Sequence, residues 1–176
     1  MRSASPEVTG RVVGRQDFAR AFRVVPAAVS VVLARTESGL VRGITCTSVS
    51  SLSGVPPMAL FSVDRKTRFA DELRSAGHYS INILAADRPD WARAFARGGQ
   101  SLDDLAHAIQ TGRGPVPTLA SGTAAVLECE VAGIYPGGDH EVVTGRITHL
   151  RVQSDAPVLQ YRNGEYGVFC AEARSS

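Results

Sequence analysis

Apolar residues recur along this chain in two rhythms, and the changes between them mark out the elements. From Asp17 to Val25 the helical spacing puts Phe18, Ala21, Phe22 and Val25 on one face, with Asp17 at the end where a carboxylate suits the helix dipole. Pro26 stops that helix. Strand rhythm follows. Residues 28–34 form a β-branched apolar run, Glu37-Ser38-Gly39 reads as a hairpin turn, and residues 40–47 return. Residues 48–53 alternate loosely. Gly54-Val55-Pro56-Pro57 then interrupts the ladder, since neither proline has an N–H to donate, and residues 58–63 make a short buried strand.

Helical spacing reappears over residues 67–76, with Phe69, Ala70 and Leu73 inward and Gly77 closing the helix. Residues 78–84 are a strand. Residues 87–97 are a helix with Asp87 as N-cap and Trp91, Ala94 and Phe95 as its stripe. Residues 98–122 are rich in Gly, Pro and Ser, with a short helix predicted over 102–109. Strands then cover 124–135, 141–152, 158–161 and 166–169, with turns at Gly137-Gly138 and Asn163-Gly164.

Hairpin succession with a few inserted helices, no βαβα alternation and no GxGxxG predicts a mainly β protein. The expected architecture is an antiparallel Greek-key barrel with peripheral helices. One core-bearing domain over 16–170 is expected, with an N-terminal arm at 1–15 and a tail at 171–176. Composition excludes several functions. The net charge is +2 and aromatics make up 6%, which argues against nucleic-acid or membrane partners. The opening residues lack the apolar segment of a secretory signal, and no window reaches a membrane span. Three cysteines without CxxC spacing fit a reducing cytoplasm, with Cys129 and Cys170 as buried spectators.

Three segments carry candidate chemistry. In Thr45-Cys46-Thr47-Ser48-Val49-Ser50-Ser51-Leu52-Ser53, six of nine residues are hydroxylic. Such a run suits the polar edge of a ring-bearing ligand, and equally a solvated edge strand. Asp64-Arg65-Lys66-Thr67-Arg68 offers three cations and a hydroxyl where a strand gives way to a helix, which is either an anion site or a solvated helix start. In Gly137-Gly138-Asp139-His140 the carboxylate can fix the tautomer of the imidazole, or the four residues simply close a hairpin. The other histidines show no metal-binding spacing, and Cys46 has no base nearby in sequence.

In this order and spacing the segments resemble the short-chain flavin reductase family, the reductase components of two-component flavin-dependent monooxygenases, built on the FMN-binding split barrel. The resemblance runs from about Phe18 to Phe169 and is carried by FARAFRVVPAAVSVVLA, GITCTSVSSLSGVPP, DRKTRFADELRSAGHYSINIL and GGDHEVVTGRI. It implies an NAD(P)H-dependent flavin reductase that releases reduced FMN or FAD to a partner oxygenase, and that works as a homodimer. It implies flavin contacts at Thr45, Cys46 (through its backbone), Thr47, Ser48, Ser50, Lys66 and Thr67. Asp139 and His140 would serve the nicotinamide of NADH or NADPH, with His140 the catalytic candidate. Ala28, Val49, Val55 and Lys66 depart from residues common in the family, and they bear on pocket shape and on the choice between FMN and FAD. Two rivals stand beside this reading: a split-barrel enzyme with tightly held flavin acting on a small organic substrate, and a non-catalytic flavin-binding module.

Overall fold

Ser30–Arg35 is buried at every position but the last, so this strand must be covered on both faces. Its alternating side chains enter two separate cores. Val32 and Ala34 join Phe61, Val63, Tyr79, Ile81 and Val143 inside the barrel, together with Phe69, Ala70 and Leu73 of a helix. Val31 and Leu33, with Val29 just before the strand, join Leu84, Trp91, Phe95, Leu119 and Leu159 on the other side. The two-residue period of one strand thus organises the molecule.

The computed structural model describes residues 13–97, 105, 107–153 and 155–169. Its strands are β1 (Ala27–Ala28), β2 (Ser30–Arg35), β3 (Val41–Cys46), β4 (Ser50–Gly54), β5 (Pro57–Asp64), β6 (His78–Leu84), β7 (Ile109–Thr111), β8 (Pro117–Leu119), β9 (Thr123–Gly137), β10 (His140–Val152), β11 (Leu159–Arg162) and β12 (Glu165–Val168). Seven of them form an antiparallel sheet in the order β3-β2-β6-β9-β10-β5-β4, and contact between β3 and β5 curls it towards a barrel. β1, β11 and β12 make a three-stranded sheet, and β7 pairs with β8. The mainly β antiparallel architecture expected from the sequence is the one observed.

Buried polar groups stitch these layers. Asn82 on β6 donates to Val31 O (3.0 Å) and Ser80 Oγ (2.8 Å) and accepts from Leu119 N (2.9 Å). Ser80 in turn donates to Pro117 O at 2.6 Å. An unpaired amide here would cost about 1–3 kcal/mol, so the network fixes β8 against β6.

The helices depart from the sequence reading at their ends. α1 is Arg15–Arg23, α2 is Phe69–Ala76 and α3 is Pro89–Ala96. Asp87 does not cap α3. Arg88 holds the cap position without a side-chain bond, and Pro89 starts the helix with a preset φ and no N–H to satisfy. The short helix predicted over 102–109 falls largely outside the described residues, and Ile109 lies in β7. Cys129 is buried, as expected; Cys170 and nearly all of the predicted arm lie outside the described residues. Among the described residues, no helix is long and apolar enough to cross a membrane.

Candidate functional site

β3 ends at Cys46 and β4 begins at Ser50, so the hydroxylic run spans a gap in the sheet. Side chains fill that gap. Ser48 Oγ accepts from Ser62 N at 2.9 Å and donates to Ser62 O at 3.2 Å, which reproduces with one hydroxyl the two bonds of a paired strand. The Cys46 thiol lies against the same hydroxyl at 3.1 Å, and burial pushes its pKa up. Thr45 donates to Ala92 O of α3 at 2.6 Å. These three side chains hold the loop in place. Thr47, Ser48 and Ser50 are all exposed, but Thr47 has no side-chain partner among the described residues and Ser50 reaches only Ser51 O at 3.3 Å.

The cationic segment is likewise built by its own hydrogen bonds. Asp64 Oδ1 accepts from Lys66 N (2.8 Å), Asp64 O accepts from the Thr67 hydroxyl (2.8 Å), and Thr67 Oγ1 accepts from Phe69 N (3.2 Å). The result is a 3-10 turn over Arg65–Thr67, separated from α2 by Arg68 in the left-handed region at φ 57°. The helix expected to begin at Thr67 therefore begins at Phe69. Two of the N–H groups that would have faced an anion are occupied by Asp64 and Thr67. What faces solvent is the side chains of Arg65, Lys66 and Arg68, none of which has a partner among the described residues.

The third segment closes the β9–β10 hairpin. Gly138 takes φ +73°, a conformation that strains any residue bearing a Cβ. His140 Nδ1 lies 2.7 Å from Asp139 Oδ1 with the ring nitrogen donating, which leaves Nε2 free for a ligand. That hydrogen bond, and then the imidazole's charge, hold the Asp139 carboxyl below its ordinary 3.8, with Arg15 at the start of α1 adding in the same direction.

β5 joins the three segments. Ser48 bonds Ser62, His140 stands opposite Asp64 in the β5–β10 register, and Arg65 N donates to Asp139 O at 3.2 Å. The hairpin carrying His140 is therefore the direct neighbour of the cationic turn, although Arg65 and Asp139 are 74 positions apart in the chain. The sequence reading overlooked Ser62, whose backbone receives the loop and which no motif marks. It also overlooked Asp64 as the organiser of the turn, for which the Asp-x-Lys spacing of an Asx cap was a usable signal. Arg74 was missed as well. It bonds Glu141 Oε1 and Asp71 Oδ1, each at 2.6 Å, and ties α2 to the strand that begins with His140.

Residues 22–169 match the family model described as "Flavin reductase like domain". The chain is 32% identical over 151 residues to the actinorhodin polyketide dimerase of Streptomyces coelicolor, covering 85% of this chain and 83% of that protein. It is 32% identical over 173 residues to an NADH:FMN oxidoreductase of Rhodococcus erythropolis, covering 93% and 86%. Among solved structures it superposes on the Streptomyces globisporus NADH:FAD oxidoreductase in complex with NAD and FAD fragments, with a TM-score of 0.82, 26% identity, and coverage of 93% of this chain and 99% of that one. Matched over most of its length in sequence and in fold, the chain belongs to the flavin reductase-like family.

Proposed function

We propose that this chain, an NAD(P)H:flavin oxidoreductase by family, supplies reduced FMN or FAD as a released product to a partner monooxygenase. The observation that carries the site is the convergence on β5 of the outward hydroxyls, the unpaired cations and the Asp139–His140 pair. This donor set fits the molecules concerned. Thr47 and Ser50 offer hydroxyls to the polar edge of a flavin and its ribityl chain, and Lys66, flanked by Arg65 and Arg68, offers charge to a phosphate. His140 Nε2 meets the nicotinamide partner. When bound, the flavin supplies the ring that accepts hydride and the nicotinamide supplies the hydride. The protein holds the two in register, and Asp139 fixes the imidazole so that one known nitrogen faces the ligand. Thr45, Cys46, Ser48 and Thr67 act through position: they set the loop and the turn that present the other groups.

The homodimer belongs to the same proposal. α1 buries none of its residues, and Phe18 and Phe22 lie with ring centroids 4.7 Å apart at 56% and 62% exposure. The end of α1 is fastened to the β11–β12 hairpin by Asn163 N donating to Arg23 O (2.8 Å) and Arg162 Nε donating to Val24 O (3.1 Å). A fastened helix with an uncovered aromatic face is what a subunit contact would cover.

Steady-state oxidation of NADH and NADPH with added FMN, FAD or riboflavin tests the reaction, and turnover without flavin loading of the protein supports release. Lys66→Ala should weaken FMN and leave riboflavin, which lacks the phosphate, nearly untouched. Equal weakening of both would remove the cationic turn from the site. The relative named a polyketide dimerase favours a second reading, in which flavin stays bound and serves a small organic substrate. Flavin that co-elutes with the protein through gel filtration would select that reading.

A further inference from the structure

Strand register carries the face that holds His140 across four strands. Phe61 and Val63 on β5 and Val143 on β10 point into the barrel core, so the residues alternating with them point away from it. Residues paired between neighbouring strands share a face. One row on the outward face runs from Ser50 on β4 to Leu60 on β5, Thr144 on β10 and Gly133 on β9. The next is Ser62, Val142 and Tyr135, and the one after it is Asp64, His140 and Gly137. Leu60, Ser62 and Val142 are only half-buried, so this face is incompletely covered in the chain.

Tyr135 is the aromatic residue of these rows. It is 55% exposed, and among the described residues it has neither a hydrogen bond nor a contact with another ring. Its neighbours on the same face of β9 are both glycines. A Cβ at Gly133 would lie 2.6 Å from Tyr135 Cζ and 2.7 Å from Cε2, so the ring leans back along the strand over bare backbone. Thr144 leaves that space to it by donating to Gly133 O at 3.2 Å. On the other side Gly137 pairs directly with His140 and adds no side chain between the imidazole and the ring. Tyr135 is thus two residues along the sheet from His140, roughly 7 Å, and one strand across, about 5 Å. A six-membered ring bearing a carboxamide bridges that gap.

A nicotinamide ring has two faces, and hydride transfer needs only one of them against the flavin. We propose that Tyr135 backs the other: the carboxamide reaches His140 Nε2 while the ring packs on the tyrosine, which shields that face from water. Gly133 belongs to the same arrangement, because a Cβ there would push the ring off its seat. This role rests on the reductase reading of the β5 face.

The test is steady-state oxidation of NADH, and of reduced nicotinamide mononucleotide, which lacks the adenine, by the full chain with riboflavin as acceptor. Riboflavin affinity and Tm are measured on the same samples. Tyr135→Ala should raise KM roughly three- to tenfold for both donors, with riboflavin affinity and Tm held. Tyr135→Phe keeps the ring and should recover the KM lost in Tyr135→Ala. Gly133→Ala should raise KM in the same direction and add nothing in a Tyr135→Ala background, a coupling that separate structural roles would not produce. Four results would overturn the proposal: KM unchanged in Tyr135→Ala, additive losses in the double variant, a loss confined to NADH, which would give the ring to the adenine, or an equal loss of riboflavin affinity, which would give it to the flavin. Normal KM in Tyr135→Ala beside an impaired His140→Ala removes Tyr135 alone, whereas normal kinetics in both removes the nicotinamide from the β5 face.

Discussion

Thr45 and Ser48 carry the same functional group as Thr47 and Ser50, a few residues away in the same segment, yet the two pairs do different work. The first pair is bonded back to the protein, Thr45 onto the Ala92 carbonyl and Ser48, itself exposed, onto both backbone groups of Ser62. The second pair faces solvent and makes no bond that the fold needs. The difference teaches that a segment rich in hydroxyls is not a uniform ligand surface. One hydroxyl, that of Ser48, replaces missing sheet bonds, another, that of Thr45, ties the segment to α3, and these bonds let Thr47 and Ser50 stand in a fixed place. His140 repeats the division within one ring, with Nδ1 given to Asp139 and the far nitrogen left open.

The division can be broken most forcefully at His140. His140→Ala should lower kcat/KM for the nicotinamide by roughly 5- to 150-fold, the loss of one hydrogen bond worth about 1–3 kcal/mol, with flavin affinity nearly intact. A rise in KM alone would make His140 an anchor, and a fall in kcat would place it in the transfer step. Loss of melting temperature with normal turnover per folded molecule would instead make the pair a hairpin closure.

Ser48→Ala comes next, on the structural side. Removing its two bonds should cost about 1–2 kcal/mol, or about 2–8 °C in Tm, with flavin affinity falling only as the loop loosens. Thr47→Ala is its counterpart: about fivefold weaker flavin binding, from about 1 kcal/mol, with Tm unchanged. If both variants lose stability equally, or both lose only flavin, the division fails.

The smallest expected effect concerns pH. The Asp139 carboxyl is held below its ordinary 3.8, so the stability that the contact contributes is present above that value and disappears as pH falls through the lowered one. The Tm difference between wild type and Asp139→Asn should therefore persist near neutral pH and shrink below about pH 4. A difference that does not change with pH would show that the carboxylate acts through shape alone.

Much of this molecule was legible from pattern. Apolar runs marked β2, β5 and β6 closely, because burial on one or both faces leaves a direct trace in sequence. The helix of Phe18 and Phe22 was legible as a helix but not in its surroundings. Its apolar face implied a buried stripe, and in the single chain none of it is buried. The three candidate segments were also visible, but their assembly was not. Pairing of β10 with β5 is a long-range event with no local signature, and it brings His140 opposite Asp64. The internal spending of hydroxyls was equally hidden, because composition shows that a serine is present and not which way its rotamer turns. α2 was placed two residues early for a similar reason: Asp64 and Thr67 satisfy the first N–H groups themselves and split off a 3-10 turn.

One further consequence follows from the bond between Ser48 and Ser62. An amide paired with a neighbouring strand exchanges with solvent only when a stretch of ladder parts, whereas the Ser62 amide is guarded by a single rotatable hydroxyl. Hydrogen exchange at that one position therefore reports how often the loop lets go, on a clock set by side-chain rotation and local opening rather than by global unfolding. A ligand that settles on the outer hydroxyls would slow that clock without touching Ser62, so exchange at one amide would follow both the entry and the departure of the flavin.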